Sequence, residues 1–177
     1  MSYDLMVFRQ EAAPKTRPEF MIWYRDQTKW AEGHNYDDPA TTSVELRNWF
    51  MEMIQTFPAM NGPFAIEDED DDNSMITGYG IGRDVIYVDF RWSVAEQAYN
   101  KVLLLAGKHG VGFFDVSSDE GDIFFPDNGD LKAIDKKAPK TTKETNNYQV
   151  EHTVKTNDGI IIKYTTKHQI KPWWKFW

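Results

Sequence analysis

Cysteine is absent from the 177 residues, which excludes disulfides, thiolate metal ligands and cysteine nucleophiles. No apolar run approaches the roughly 18 residues that a membrane-crossing helix needs. The opening stretch MSYDLMVF has neither a basic n-region nor a long apolar h-region. It reads as a strand and not as a secretory signal, and the cytoplasm is the expected compartment. Histidine is sparse: His34, His109, His152 and His168 stand far apart, with no H-x-x-x-H spacing to hold a metal. A G-x-S-x-G nucleophile elbow is also missing. Gly78, Gly80 and Gly82 lead into a strand and not a helix, so they read as a turn between strands and not as a phosphate cradle. No internal repeat is visible.

Basic charge is scarce over most of the chain. Residues 1–130 hold 10 Lys+Arg against 24 Asp+Glu, a net of −14, whereas residues 131–177 hold 10 against 4, a net of +6. An acidic body repels nucleic acid, because gripping phosphates takes cations. It attracts a basic protein and speeds that encounter.

Core-forming residues are plentiful, with 41% apolar and 15% aromatic, which rules out a disordered composition. YDLMVF reads as a strand. Thr16, Pro18 and Glu19 mark a helix start, and Phe20, Trp23, Tyr24, Gln27 and Trp30 follow at helical spacing. Thr42 and Glu45 form a second capping box. It opens a helix whose stripe is Leu46, Trp49, Phe50, Met53, Ile54 and Phe57. FPAMNGP breaks that helix. Strands are expected near 75–81 and 84–92. Ser93 and Glu96 then cap a third helix that ends at Gly110. VGFFDVSSDEGDIFF is strand, turn, strand. The order β-α-α-β-β-α-β-β predicts an α+β fold, a ferredoxin-like sandwich with helices on one face of a mainly antiparallel sheet. A basic linker is expected over 131–147, after an acidic domain at 1–130. Residues 148–177 then form a C-terminal β-hairpin, turning at Asn157, Asp158 and Gly159, and a tail, WWKFW. That tail is expected to be covered by the same molecule or by a second copy.

Six consecutive acids, Glu67, Asp68, Glu69, Asp70, Asp71 and Asp72, stand in one stretch. They could hold a metal, face a basic partner or only solvate a loop. An EF-hand reading puts Asp68, Asp70 and Asp72 at its first three ligand positions. It then needs glycine where Asn73 stands and a bidentate glutamate where Tyr79 stands. No metal or cofactor is therefore expected. Asp119 and Glu120 add acidic charge in the SSDEG turn.

The segments SYDLMVF, NYDDPATTSVELRNWFMEMIQTFPAMNGP, IGRDVIYVDFRWSVAEQAY and KHGVGFFDVSSDEGDIFFPD together resemble a family of small bacterial proteins associated with toxin–immunity loci, including those of contact-dependent growth inhibition. The resemblance spans about residues 2–127. It implies a non-enzymatic protein that binds and neutralises a cognate toxin domain. It transfers no residue roles. Charge then points to a nuclease-type toxin, which is basic because it grips phosphates. The expected contact residues are Glu67, Asp68, Glu69, Asp70, Asp71, Asp72, Asp119 and Glu120, with neither nucleic acid nor membrane as partner. The alternative is an enzyme or small-ligand binder using the open face of the sheet.

Overall fold

The computed structural model describes residues 2–66 and 73–134 in full and the backbone of 147–155 and 161–169. The chain divides into two compact units, Met1–Asp135 and Lys136–Trp177. The first unit contains β1 (Ser2–Phe8), α1 (Arg17–Gln27), α2 (Val44–Met53), β2 (Gly78–Ile81), β3 (Val85–Arg91), α3 (Ala95–His109), β4 (Gly112–Phe114), β5 (Ile123–Asp127) and β6 (Asp130–Ala133). The six strands form one sheet in the order β2-β3-β1-β4-β5-β6, and every neighbouring pair is antiparallel. The fold is α+β. In the second unit β7 (Asn147–Lys155) pairs antiparallel with β8 (Ile161–Gln169), Asn147 opposite Gln169 and Lys155 opposite Ile161. The Asn157-Asp158-Gly159 turn and the WWKFW tail lie outside the described residues.

Register sorts the side chains of the sheet into two faces. Met6 stands opposite Tyr87 and Phe114, and Phe8 opposite Val85. On this face α1 packs: the Phe20 ring meets Phe8 at 5.0 Å and Phe114 at 5.3 Å, and Tyr24 meets Phe114 at 5.0 Å. Leu5, Val7, Ile86, Val88 and Phe113 point the other way. There Tyr99 of α3 meets Phe113 at 5.3 Å, Phe50 of α2 meets Tyr79 at 5.1 Å, and Phe57 meets Phe90 at 5.0 Å.

The helices therefore cover both faces, not one, and this corrects the expected two-layer sandwich. The physical sign was in β1. Leu5, Met6, Val7 and Phe8 are all 0% exposed, and a strand buried on both faces carries a continuous apolar run in place of alternation. The sheet also has six strands. β6 places residues 131–133, expected as linker, within it: Leu131 is buried and pairs with Pro126.

Helix starts differ in detail from the capping pattern. Ser43, not Thr42, caps α2, accepting from the Leu46 N–H at 3.4 Å. Thr42 is buried and donates instead to the Arg83 carbonyl. Ser93 falls in a 3₁₀ turn, Trp92–Val94, ahead of α3. Gly110 ends α3 in the left-handed region, φ 66, which glycine adopts without a Cβ penalty. α1 stops at Gln27, so Trp30 is not on its stripe. Trp30 has φ 52 and is 37% exposed.

Candidate functional site

Of the acids expected to meet a partner, Glu67, Asp68, Glu69, Asp70, Asp71 and Asp72 lie outside the described residues. Asp119 and Glu120 are exposed in the turn between β4 and β5. That turn is held from inside by Asp115, whose Oδ1 accepts from the Ser118 N–H at 3.1 Å. It is held from outside by Arg17 of α1, which donates to the Gly121 carbonyl at 2.6 Å and to the Glu120 carbonyl. The two carboxylates are thus presented on a fixed backbone.

Asp115 is buried at the root of this turn. Burial first, and then the Asp122 charge, push its carboxyl up to about 6 against hydrogen bonds from the Ser118 and Ser117 backbone. The unfolded value is 3.8, so the folded state holds the extra proton between the two. This group's contribution is full below the unfolded value and is lost as pH rises through about 6, a change on the order of 2–3 kcal/mol. Asp115→Asn keeps the acceptor for Ser118. It is expected to melt at or above wild type at pH 7.5 and to lose part of the gain in stability that wild type shows on going from pH 7.5 to pH 5. A variant clearly less stable at pH 7.5, with that gain intact, would contradict this.

Several cations of the first unit have internal partners. Arg9 pairs with Asp84 at 2.7 Å, Lys29 with Asp26 at 2.6 Å and Lys108 with Glu52 at 2.9 Å, and Arg83 lies 3.7 Å from Glu32. Arg47 donates to the Pro39 and Ala40 carbonyls, each at 2.9 Å. Glu52 also takes a bond from His109 at 2.8 Å. Burial alone would raise its carboxyl, but the bonds from Lys108 and His109 outweigh that and hold it low. These ion pairs neutralise their own partners, and the net charge of residues 1–130 remains −14.

A second cluster sits on the α1 face, and sequence spacing gave no sign of it. Asp4 on β1 stands directly across from Asp89 on β3. Asp4 Oδ2 accepts from the Tyr87 hydroxyl at 3.0 Å, and that hydroxyl is hydrogen-bonded to Tyr24 of α1. The buried Asp4 Oδ1 has no hydrogen-bond partner among the described residues. Asp89 is exposed, and its carboxyl is raised by desolvation and then by the Asp4 charge. It leans over β2, where a Cβ on Gly78 would stand 2.2 Å from Oδ2.

The alternating glycines of β2 and of the turn just after it thereby acquire a use. The Asp89 carboxylate lies over Gly78, the Trp30 ring over Gly80, and Glu32 beside Gly82. Trp30 also meets Tyr36 at 4.9 Å and Tyr87 at 6.2 Å, edge to face. Only register brings Asp4 and Asp89 together. Asp84, just ahead of β3, pairs instead with Arg9.

Among the described residues no group of three or more His, Cys, Asp or Glu is placed to hold a metal. No described helix is long and apolar enough to cross a membrane. No family model, curated protein or solved structure matches the chain.

Proposed function

We propose that this chain is a cytoplasmic immunity protein: it binds a cognate bacterial toxin domain of basic, nuclease type and covers the surface with which that domain grips nucleic acid. The observation that carries the reading is charge. Residues 1–130 hold 24 Asp+Glu against 10 Lys+Arg, and several of those cations are committed to internal partners. An acidic inhibitor competes with phosphate for the same Lys and Arg. The family resemblance of the sequence supports the same reading and supplies its toxin–immunity setting. Inhibition by occlusion needs no catalytic group on the inhibitor.

The test is growth. A toxin-domain gene beside this one is expected, and its absence would count against the reading; that gene is expressed in a sensitive bacterium with and without this chain. Restored growth is the expected result. Undiminished killing beside abundant, folded chain would overturn the reading.

A second reading, a small-ligand site on the sheet, is favoured by the Asp4–Asp89 pair beside Tyr87 and Trp30, since carboxylates next to aromatic rings suit an organic cation. A melting-temperature rise with arginine ethyl ester, abolished by Asp4→Asn, would support that site. Equal melting with and without the ester would remove it.

A further inference from the structure

Residues 58–66 lead from α2 towards the outer edge of the sheet, and three large apolar side chains there face solvent. Met60 is 60% exposed, Phe64 39% and Ile66 44%. An isolated apolar residue on a surface means little, but the parallel bridge of Ala59 with Ala65 brings Met60 beside Ile66, and a set held together on ordered backbone marks an interaction site. This backbone is tied down repeatedly. The Met60 N–H donates to the Thr77 carbonyl at 2.9 Å and the Ile66 N–H to the Ala59 carbonyl at 3.1 Å.

Asn61 acts as a neighbouring strand would. Its Nδ2 donates to the Tyr79 carbonyl at 2.9 Å and its Oδ1 accepts from the Tyr79 N–H at 3.0 Å. Gly62, at φ 80, packs so closely on Asp37 that a Cβ would stand 2.2 Å from the Asp37 carbonyl oxygen. Phe64 rests on Phe50 of α2, with ring centroids 5.9 Å apart. Such a loop presents its apolar side chains in a set geometry and loses little entropy when a partner covers them.

We infer that Met60, Phe64 and Ile66 form the apolar centre of a protein interface, and that its occupant is a protein surface with an apolar depression ringed by Lys and Arg. Charge selects this occupant. The unit that carries the ridge is strongly acidic, residues 1–130 holding 24 Asp+Glu against 10 Lys+Arg, a net of −14. Asp37 lies beneath Gly62. Anionic lipid is repelled by that charge, and so is a second copy of this acidic unit. Interfaces of this type place apolar anchors centrally, where they govern dissociation, and charges at the rim, where they govern association. The inference rests on the toxin-binding reading and names the part of the chain that would hold the toxin.

The experiment starts with photo-crosslinking in the native bacterium. Benzoylphenylalanine replaces Phe64 in the full chain, and in a control it replaces Val44, which is 63% exposed. A single basic protein trapped at 64 and not at 44 is expected. That protein, purified, is then bound to wild type, Phe64→Ser and Met60→Gln, each checked for an unchanged melting temperature. Dissociation is expected to quicken by roughly tenfold or more while association stays within about twofold, as for loss of a central anchor. The ridge is overturned by no trapping above the control, by trapping of lipid, a second copy or an acidic protein, or by unchanged dissociation. A basic partner that is harmless to cells would sink the toxin reading and leave the ridge standing. A neutralised toxin indifferent to both ridge variants would do the reverse.

Discussion

Trp49→Ala is expected to destabilise the first unit by about 3–5 kcal/mol, the range for truncating a fully buried Trp. Trp49 is 0% exposed and lies between α2 and α3, its Nε1 donating to the Val102 carbonyl at 3.5 Å. That long bond contributes little. The loss comes from the indole surface returned to water and from the cavity that two helices packed on a sheet cannot close. Urea unfolding of the full chain, with the midpoint converted through an unchanged slope, measures it. A loss below about 1 kcal/mol would mean that the α2–α3 layer is not a packed core.

Gly112→Ala is expected to cost about 3 kcal/mol or more, at or beyond the upper end for overpacking, whereas Gly78→Ala should stay within about 1 kcal/mol of wild type. The two look alike on distance alone. A Cβ at 112 would stand 2.1 Å from Phe8 Cε2, and one at 78 would stand 2.2 Å from Asp89 Oδ2. What differs is whether the neighbour can give way. Phe8 is fully buried, with Phe20, Trp23 and Phe125 between 5.0 and 5.9 Å from its ring. The Asp89 carboxylate is exposed and free to rotate into water. Replacing a strand glycine also recovers about 0.5–1 kcal/mol of backbone entropy at either site. Thermal melts of the two variants side by side decide the matter. Equal losses would contradict this account of the β1–β4 packing.

Much of the fold was legible because its signals are local. The α2 stripe, expected from Leu46 to Phe57 and helical only as far as Met53, and the Gly110 stop of α3 follow from helical period and left-handed backbone. Both survive in the structure, with Leu46, Trp49, Phe50 and Met53 all buried. What failed was what depends on distant chain. Trp30 continued the spacing of α1, yet the helix ends at Gln27 and Trp30 crosses to the Cβ-free Gly80. Thr42 matched a capping box with Glu45, yet the Arg83 carbonyl, 41 residues away, claimed it and Ser43 caps the helix instead. Layering on both faces was encoded in LMVF, but only register shows which helix takes which face.

The candidate site divides the same way. Surplus acidic charge is additive and needs no fold to read. The Met60–Phe64–Ile66 ridge sat in FPAMNGP and after, a stretch that reads as a helix breaker. Its exposure depends on the Asn61 clamp to Tyr79. The Asp4–Asp89 pairing depends on β1–β3 register.

The central claim, an acidic protein that captures a basic toxin, is tested most directly by association rate against ionic strength. Wild type is compared with a variant carrying Gln at 67 and 69 and Asn at 68, 70, 71 and 72, using the toxin domain that the growth test identifies. Charge steering raises association by roughly 10–10³-fold and fades as salt shortens the Debye length from about 10 Å at 0.1 M. Wild type should associate several-fold faster at low salt and show the steeper decline. Equal melting temperatures for the two proteins are the check that neutralisation leaves the fold intact. Equal rates and equal salt slopes for the two proteins would contradict the claim that the acidic run meets the toxin.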